Sequence, residues 1–259
     1  MKIATFNCNS VRVRVPIITW WLQKHQPDIL ALQEIKVDTD KFPYQPFQEL
    51  GYHCVVRGKG GYSGVATLSK VEPDEVRAGF GDGDVKEEPR IIVTEHNKIF
   101  IINTYVPQGQ DIESEVFQYK LEWLRRFRKM LDEQFSSRKK VLWLGDFNVA
   151  PEGIDVYDSR RLMGHPDHNP QVFEALENVR SWGFIDLFRK FHAKEEKQYT
   201  YWDYRMPGVF QRNIGWRVDH IFVTKSLGSK ARDCWIDREP RGMEKPSDHT
   251  FMVAEFDLG

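Results

Sequence analysis

Residues 140–148 read Lys-Val-Leu-Trp-Leu-Gly-Asp-Phe-Asn. After Lys140, the next four residues make an apolar run of strand length, too short for a helix and bearing a β-branched and an aromatic side chain. The run stops at Gly145 and delivers Asp146 and Asn148 immediately afterwards. The same arrangement recurs along the chain. Lys2–Phe6 delivers Asn7 and Asn9, Ile29–Leu32 delivers Gln33 and Glu34, and Phe100–Thr104 delivers Tyr105. Asp219 opens a strand that runs to Val223, and Asp248 and His249 directly precede Phe251–Phe256. One such junction means little, because every strand must end. If these ends converge on one edge of a sandwich, their acids repel one another unless a cation lies among them. Carboxylate and amide oxygens without thiolates suit a hard divalent ion, magnesium or, as a substitute, manganese.

Further strands are expected at His53–Arg57, Gly64–Leu68 and Arg90–Thr94. Helical spacing appears from Pro16 to His25, with Pro16 suited to the first helical position. It appears again from Glu115 to Phe135, and from Asn169, a fitting N-cap, to Gly183. On the long helix, Lys120, Arg125, Arg126, Arg128 and Lys129 are expected on a solvated outer face. The segment from Tyr157 to Pro170 is polar, carries Gly164 and Pro166, and reads as a flexible surface loop. Its His165-Pro-Asp-His168 string lacks a nearby third ligand for a zinc site. Strands outnumber helices and helices separate groups of strands, so the expected solution is α+β, two packed sheets with helices on their outer faces. Composition is even and no linker stands out, which gives one domain over residues 1–259.

The chain carries 37 Lys and Arg against 38 Asp and Glu, a net charge of -1. That excludes a protein that coats nucleic acid by bulk charge, since such affinity comes from counterion release. It leaves room for an enzyme with a local basic face. Cys8, Cys54 and Cys234 are odd in number and widely spaced, which argues for reduced interior thiols rather than a disulfide framework. The opening Met-Lys-Ile-Ala-Thr-Phe lacks the apolar region of a signal peptide, and no run approaches the ~20 residues of a membrane span. A cytoplasmic, nucleoid-associated protein without membrane contact, monomeric by default, is the expectation.

The residue types at the strand ends match the needs of phosphodiester hydrolysis. A cation neutralises charge on the phosphoryl oxygens, a carboxylate orients or deprotonates water, and an imidazole with amides steadies the pentacovalent species. The strings Phe6-Asn7-Cys8-Asn9-Ser10, Gln33-Glu34-Ile35-Lys36, Gly61-Tyr62-Ser63-Gly64, Asn103-Thr104-Tyr105-Val106-Pro107, Gly145-Asp146-Phe147-Asn148, Gly215-Trp216-Arg217-Val218-Asp219 and Ser247-Asp248-His249 together resemble the exonuclease III family of AP endonucleases. They follow the family's order over residues 6–249. Any one string is weak, but the ordered set is specific.

The resemblance implies a four-layer αββα sandwich of the deoxyribonuclease I type, with two mixed β-sheets flanked by helices. It implies a hydrolase that cuts double-stranded DNA 5′ to abasic sites and leaves a 3′-hydroxyl, with 3′→5′ exonuclease or 3′-repair activity as a companion. A related subset also nicks at deoxyuridine. Carried over by motif, Glu34 becomes the main metal ligand, Asn9 a second metal-side residue, and Asp248 a further metal-side or supporting acid. Asp146 positions the water, Asn148 and Asn7 are phosphate or network residues, Asp219 orients His249, and Tyr105 brings its phenol to the phosphate. Tyr201, Trp202 and Trp216 are expected to form a pocket for a baseless sugar. Arg205, Arg212 and Arg217 are expected at backbone phosphates, Tyr62 at a groove and Gln108 near the phosphate. Ser10, where glycine is frequent, Gln108, where asparagine is frequent, and Pro89, where glycine is frequent, depart from the family pattern. A deoxyribonuclease I-like nuclease, an inositol-phosphate phosphatase or a sphingomyelinase would share the Glu, Asp-Asn and Asp-His core. The Gly-Trp-Arg-Val-Asp string favours the repair branch. A binding protein without catalysis would be expected to lack the acids that this chain keeps.

Overall fold

The computed structural model describes residues 1–84 and 88–258. Its strands in chain order are β1 (Lys2–Asn7), β2 (Ile29–Gln33), β3 (His53–Arg57), β4 (Val65–Ser69), β5 (Glu75–Ala78), β6 (Ile91–His96), β7 (Ile99–Tyr105), β8 (Lys140–Asp146), β9 (Phe184–Asp186), β10 (Asp219–Thr224), β11 (Ala231–Asp237) and β12 (Phe251–Phe256). The first four build one sheet and the next six build a second. The chain then returns to complete the first, giving the orders β11-β12-β1-β2-β4-β3 and β5-β6-β7-β8-β10-β9. Both sheets are mixed, with β1 parallel to β2 and β7 parallel to β8.

The sequence periodicities explain the layers. The central strands are buried on both faces, so they read as continuous apolar runs. One face of each sheet meets the other through Ile3, Ala31, Ile101, Leu142, Leu144, Ile221 and Met252. The outer face of the first sheet packs under helix α1 (Val11–His25) and the short α2 (Tyr44–Gln48), with Trp21 stacked on Phe251. The outer face of the second sheet packs under α3 (Glu115–Gln134) and, after the single turn α4 (Ser159–Leu162), α5 (Pro170–Arg180), where Trp143 and Phe147 stack. The result is the expected four-layer αββα sandwich of the deoxyribonuclease I type.

Two helix starts carry the caps that the sequence suggests. Ser114 accepts from the Phe117 amide, and Asn169 accepts from the Val172 amide with Pro170 in the first turn. The start of α1 differs from expectation. The helix begins at Val11 and Pro16 lies inside it. The amides of Ser10 and Val11 donate to the carbonyls of Glu34 and Ile35, so backbone from β2's exit loop replaces a side-chain cap. The strands β5, β9 and β11 escaped the sequence reading. β5 is mostly exposed, β9 has 3 residues, and β11 mixes Arg232 and Asp233 into its apolar pattern.

Candidate active site

Strand direction gathers the functional side chains. β1 and β2 run parallel and end together at Asn7 and Gln33. β7 and β8 also run parallel, ending with Tyr105 opposite Asp146. β10 runs antiparallel to β8, so its first residue, Asp219, faces Asp146. β12 runs antiparallel to β1, which brings the residues before it, Asp248 and His249, to the same edge. Ligands collect at such strand ends because loops there can carry chemistry on a rigid frame.

The exit loops then turn through conformations that L residues seldom adopt. Asn9, Ser10, Glu34, Lys36 and Asn148 have φ of 42°, 87°, 48°, 51° and 50°. Backbone of this kind persists only where surrounding contacts hold it, and it gathers at functional sites. Gly145 has φ 137°, and a Cβ there would lie 1.9 Å from the Thr104 carbonyl oxygen, so only glycine lets β8 approach β7 just before Asp146.

At the centre, the Asn7 amide donates to Glu34 Oε1 at 2.7 Å and to Asp146 Oδ2 at 2.8 Å. Asp146 Oδ1 accepts from the Asn148 backbone amide at 2.9 Å. His249 Nδ1 lies 2.8 Å from Asp219 Oδ2, and its Nε2 lies 3.8 Å from Asp146 Oδ2. Glu34, Asp146 and His249 each offer an atom within 4.8 Å of the others, a grouping able to hold a metal ion. A second relation bears on a cation. Lys36 Nζ lies 2.8 Å from Glu34 Oε2 and 2.6 Å from Asn9 Oδ1, so these two oxygens already share one positive charge. The donors on offer to a cation there, the Glu34 and Asp146 carboxylates and the Asn9 amide oxygen, are all hard oxygens, which fits a divalent ion of the magnesium class.

Asp248 stands apart from that point. It accepts from Asn9 Nδ2 at 2.9 Å, which leaves the Asn9 oxygen to accept from Lys36.

Electrostatics follow from this packing. Burial pushes the Glu34 carboxyl up, but Lys36 and Asn7 outweigh it and hold it below the ordinary value. Burial pushes Asp146 well above the usual carboxylate range, with Asp219 and Glu34 adding to the shift and His249 opposing it. Burial would lower His249, yet Asp219 and Asp146 raise it to about 10, so the ring is an imidazolium at neutral pH. Burial, then Glu34 and Asp146, push the Tyr105 phenol well above 10, which keeps it a proton donor.

The cleft over these groups encloses about 500 Å³. Tyr201 and Trp216 line it, with Val218 and Leu162 beside them. The Tyr201 ring centroid is 4.9 Å from that of His249, and the Trp216 ring is 4.8 Å from that of His165. Gln108 and Arg205 also line the cleft, and Arg205 pairs with Asp203 at 2.8 Å. Tyr62 is 90% exposed on the β3–β4 loop, outside the cleft lining but free to meet a large ligand.

Two expectations are corrected, those for Trp202 and Arg217. Trp202 is fully buried against Tyr199 and Val209, because successive residues of an extended segment point to opposite sides and Tyr201 takes the cleft side. Arg212 is exposed outside the cleft lining, where it donates to the Pro207 and Gly208 carbonyls. Arg217 is fully buried and pairs with Asp155 and Asp186 beneath the site, where no phosphate reaches it. The loop before α5 is also packed rather than loose, since Asp167, His168 and Asn169 are buried. His168 bonds the Ala150 carbonyl and Ser159, which leaves its ring no role as a metal ligand. Sequence reasoning missed Lys36, His165 and Tyr204 as cleft residues. Lys36 was within reach, as it closes the Gln-Glu-Ile-Lys string.

Known proteins resemble this chain over nearly its whole length. The model of the endonuclease/exonuclease/phosphatase family matches residues 4–249. Exodeoxyribonuclease III from Haemophilus influenzae is 34% identical, covering 99% of this chain and 100% of the relative. The structure of an AP endonuclease from Archaeoglobus fulgidus superposes with a TM-score of 0.96 at 44% identity, covering 100% of both chains. The structure of a 3′ phosphatase from Neisseria bound to a product DNA hairpin superposes with a TM-score of 0.93 at 37% identity, covering 99% of both chains. With its ordered motifs, its sandwich and its acidic strand-end cluster, the chain belongs to the endonuclease/exonuclease/phosphatase family, in the exonuclease III branch of AP endonucleases.

Proposed function

We propose that this protein is a magnesium-dependent AP endonuclease of DNA repair, which hydrolyses the phosphodiester 5′ to an abasic site and leaves a 3′-hydroxyl. The observation that carries the reading is the Asn7 amide shared between Glu34 and Asp146, beside the His249–Asp219 pair. It sets a metal-side acid, a water-side acid and a cation around one point, which is what in-line attack on a phosphodiester requires. The family is divalent-metal dependent. Glu34 and Asn9 would hold the ion, with Asp248 fixing the Asn9 amide. Bound there, magnesium supplies positive charge to the phosphoryl oxygens.

The chain's own groups supply the remaining steps. Asp146 orients the attacking water and accepts its proton, a task that suits a carboxylate of raised proton affinity. The His249 imidazolium, held by Asp219, and the Asn148 amide stabilise the charge that develops on phosphorus oxygens. The Tyr105 phenol is the protonated group available to the leaving 3′ oxygen. Tyr201, Trp216 and Val218 offer an apolar wall to a deoxyribose without a base. A baseless nucleotide has no base to unstack, so extrusion into such a cleft costs least at the lesion. Arg205, Gln108 and Tyr62 would meet the duplex around it.

The same site acting at a strand terminus would give 3′→5′ exonuclease and 3′-repair activity, and deoxyuridine is a further substrate to examine. The whole chain, 1–259, is read as one catalytic unit acting as a monomer on double-stranded DNA inside the cell, in the cytoplasm or nucleoid. No helix among the described residues is long and apolar enough to cross a membrane.

The test is substrate choice. Purified protein with magnesium is offered a duplex carrying one tetrahydrofuran abasic analogue, the same duplex undamaged, and an inositol polyphosphate. Selective incision 5′ to the analogue, with an end that a polymerase extends, supports the reading. Phosphate release from the inositol compound without incision would move the protein to the phosphatase side of its family.

A further inference from the structure

Helix α3 carries a lysine where a solvated charge is expected, yet Lys120 is fully buried. Its ammonium has three N–H donors and four oxygen partners. These are the carbonyls of Asn148 at 2.6 Å, Gln108 at 2.9 Å and Pro166 at 3.1 Å, and Asp167 Oδ1 at 2.6 Å. The partners sit on three segments distant in sequence. Gln108 follows the Tyr105 end of β7, Asn148 follows the Asp146 end of β8, and Pro166–Asp167 belongs to the loop whose His165 ring packs on Trp216. All three segments line the cleft.

Two further observations show how closely the chain is fitted around this nitrogen. Asn148 holds φ 50°, so its carbonyl is presented to Lys120 from a left-handed turn. Gly109, at φ 101°, leaves room that a Cβ would lose, since that atom would lie 3.2 Å from Lys120 Cδ and 3.2 Å from Pro166 Cβ. A buried ammonium is costly unless paired and hydrogen-bonded, and here every donor is used.

We propose that Lys120 is a positioning residue for the reaction: its ammonium ties the Gln108, Asn148 and Pro166–Asp167 segments into one frame, and so sets Asn148 and the Trp216 wall against the scissile phosphate. It touches no substrate itself. The inference rests on the proposed activity for its functional half, and its structural half is measurable without any substrate.

A buried lysine whose loss merely unfolds the protein would prove nothing, so the test uses a pair of variants. Lys120→Met alone leaves Asp167 as an unpaired buried carboxylate. Lys120→Met with Asp167→Leu replaces the ion pair by apolar groups, an exchange that is often neutral or stabilising. Three quantities are measured on the wild type and both variants. They are thermal midpoint, amide hydrogen exchange over residues 106–110, 147–150 and 164–169, and single-turnover cleavage of tetrahydrofuran-containing duplex with its dissociation constant. The expected result is a double variant as stable as the wild type, with faster exchange confined to those segments. Its chemical step should be slower by on the order of 10²-fold, the usual cost of misplacing reacting groups by an ångström. Its DNA affinity should stay within about three-fold. A double variant that regains both stability and wild-type cleavage, or that keeps wild-type exchange in the three segments, would overturn the proposal. If the wild type cuts no abasic duplex, the activity reading fails by itself, and the exchange data still decide whether Lys120 orders the cleft.

Discussion

Asn7 and Asp146 stand in different sheets, yet the Asn7 amide donates to Asp146 Oδ2 at 2.8 Å. The same amide reaches Glu34 at 2.7 Å, so one side chain holds the two carboxylates at a fixed spacing. Asn7 is fully buried, which denies it solvent as an alternative partner.

Asn7→Leu therefore has two effects. Removing a donor that satisfies two buried carboxylates costs about 1–3 kcal/mol of stability. The acids also lose their common hinge, and cleavage of abasic duplex under single turnover is expected to fall by roughly 10²-fold. Denaturant unfolding and a quenched time course check the two separately. Unchanged cleavage in a folded variant would remove Asn7 from the account.

Asp219→Asn tests the imidazolium. Asp219 Oδ2 fixes His249 Nδ1 and is the main charge that keeps the ring positive. The variant should fold, since Thr200 still binds the backbone of residues 218 and 219. The chemical step should slow by about 10²–10⁴-fold, the range expected for a positioned acid or base, while DNA affinity changes little.

His220 gives stability a pH dependence of known sign. Burial and the neighbouring Arg217 lower it from 6.5 to about 4, so the folded protein keeps it neutral. The unfolded chain takes up a proton near 6.5 and the folded chain does not until about 4. Stability is therefore complete above pH 6.5 and declines as pH falls toward 4, by about 3 kcal/mol for this group. His220→Gln keeps an acceptor for Arg217 and a donor for the Val149 carbonyl. Denaturant titrations across pH 7 to 4 should show a shallower acid decline in the variant. An identical decline would assign the acid sensitivity elsewhere.

Ser10 holds φ 87° and ψ 102°, a backbone conformation that costs a non-glycine residue about 1–3 kcal/mol. Glycine relieves the strain but gives the unfolded chain more freedom, an opposing effect of about 0.4–1 kcal/mol. Ser10→Gly should raise stability by about 1 kcal/mol with cleavage unchanged, as read by thermal unfolding and the same incision assay. A loss of stability would mean that the Ser10 side chain contributes more than its strained backbone costs.

Much of this was legible in the chain because central strands buried on both faces leave continuous apolar runs, and because their polar exits lie next to them in sequence. Glu34, Asp146 and His249 could be named from that adjacency. What stayed hidden depends on packing between distant segments. Lys120 looks like one more cation on a charged helix until the Gln108, Asn148 and Asp167 segments close over it. Trp202 and Tyr201 are neighbours in sequence, and only the register of their segment against Trp216 and His249 decides which of them faces the cleft. Arg217 reads as a phosphate ligand beside Trp216, but Asp155 and Asp186, which bury it, lie far along the chain.

The central claim is that Glu34 and Asp146 act on one phosphodiester through a divalent ion and a water. It is tested most directly by incision of a duplex bearing a single tetrahydrofuran, with magnesium or with EDTA, by the wild type, Glu34→Gln and Asp146→Asn. The expected result is one magnesium-dependent nick 5′ to the lesion with a 3′-hydroxyl, abolished by EDTA and reduced by at least about 10³-fold in either folded variant. Incision that survives EDTA, or that proceeds at the wild-type rate without the Glu34 or Asp146 carboxylate, would contradict it.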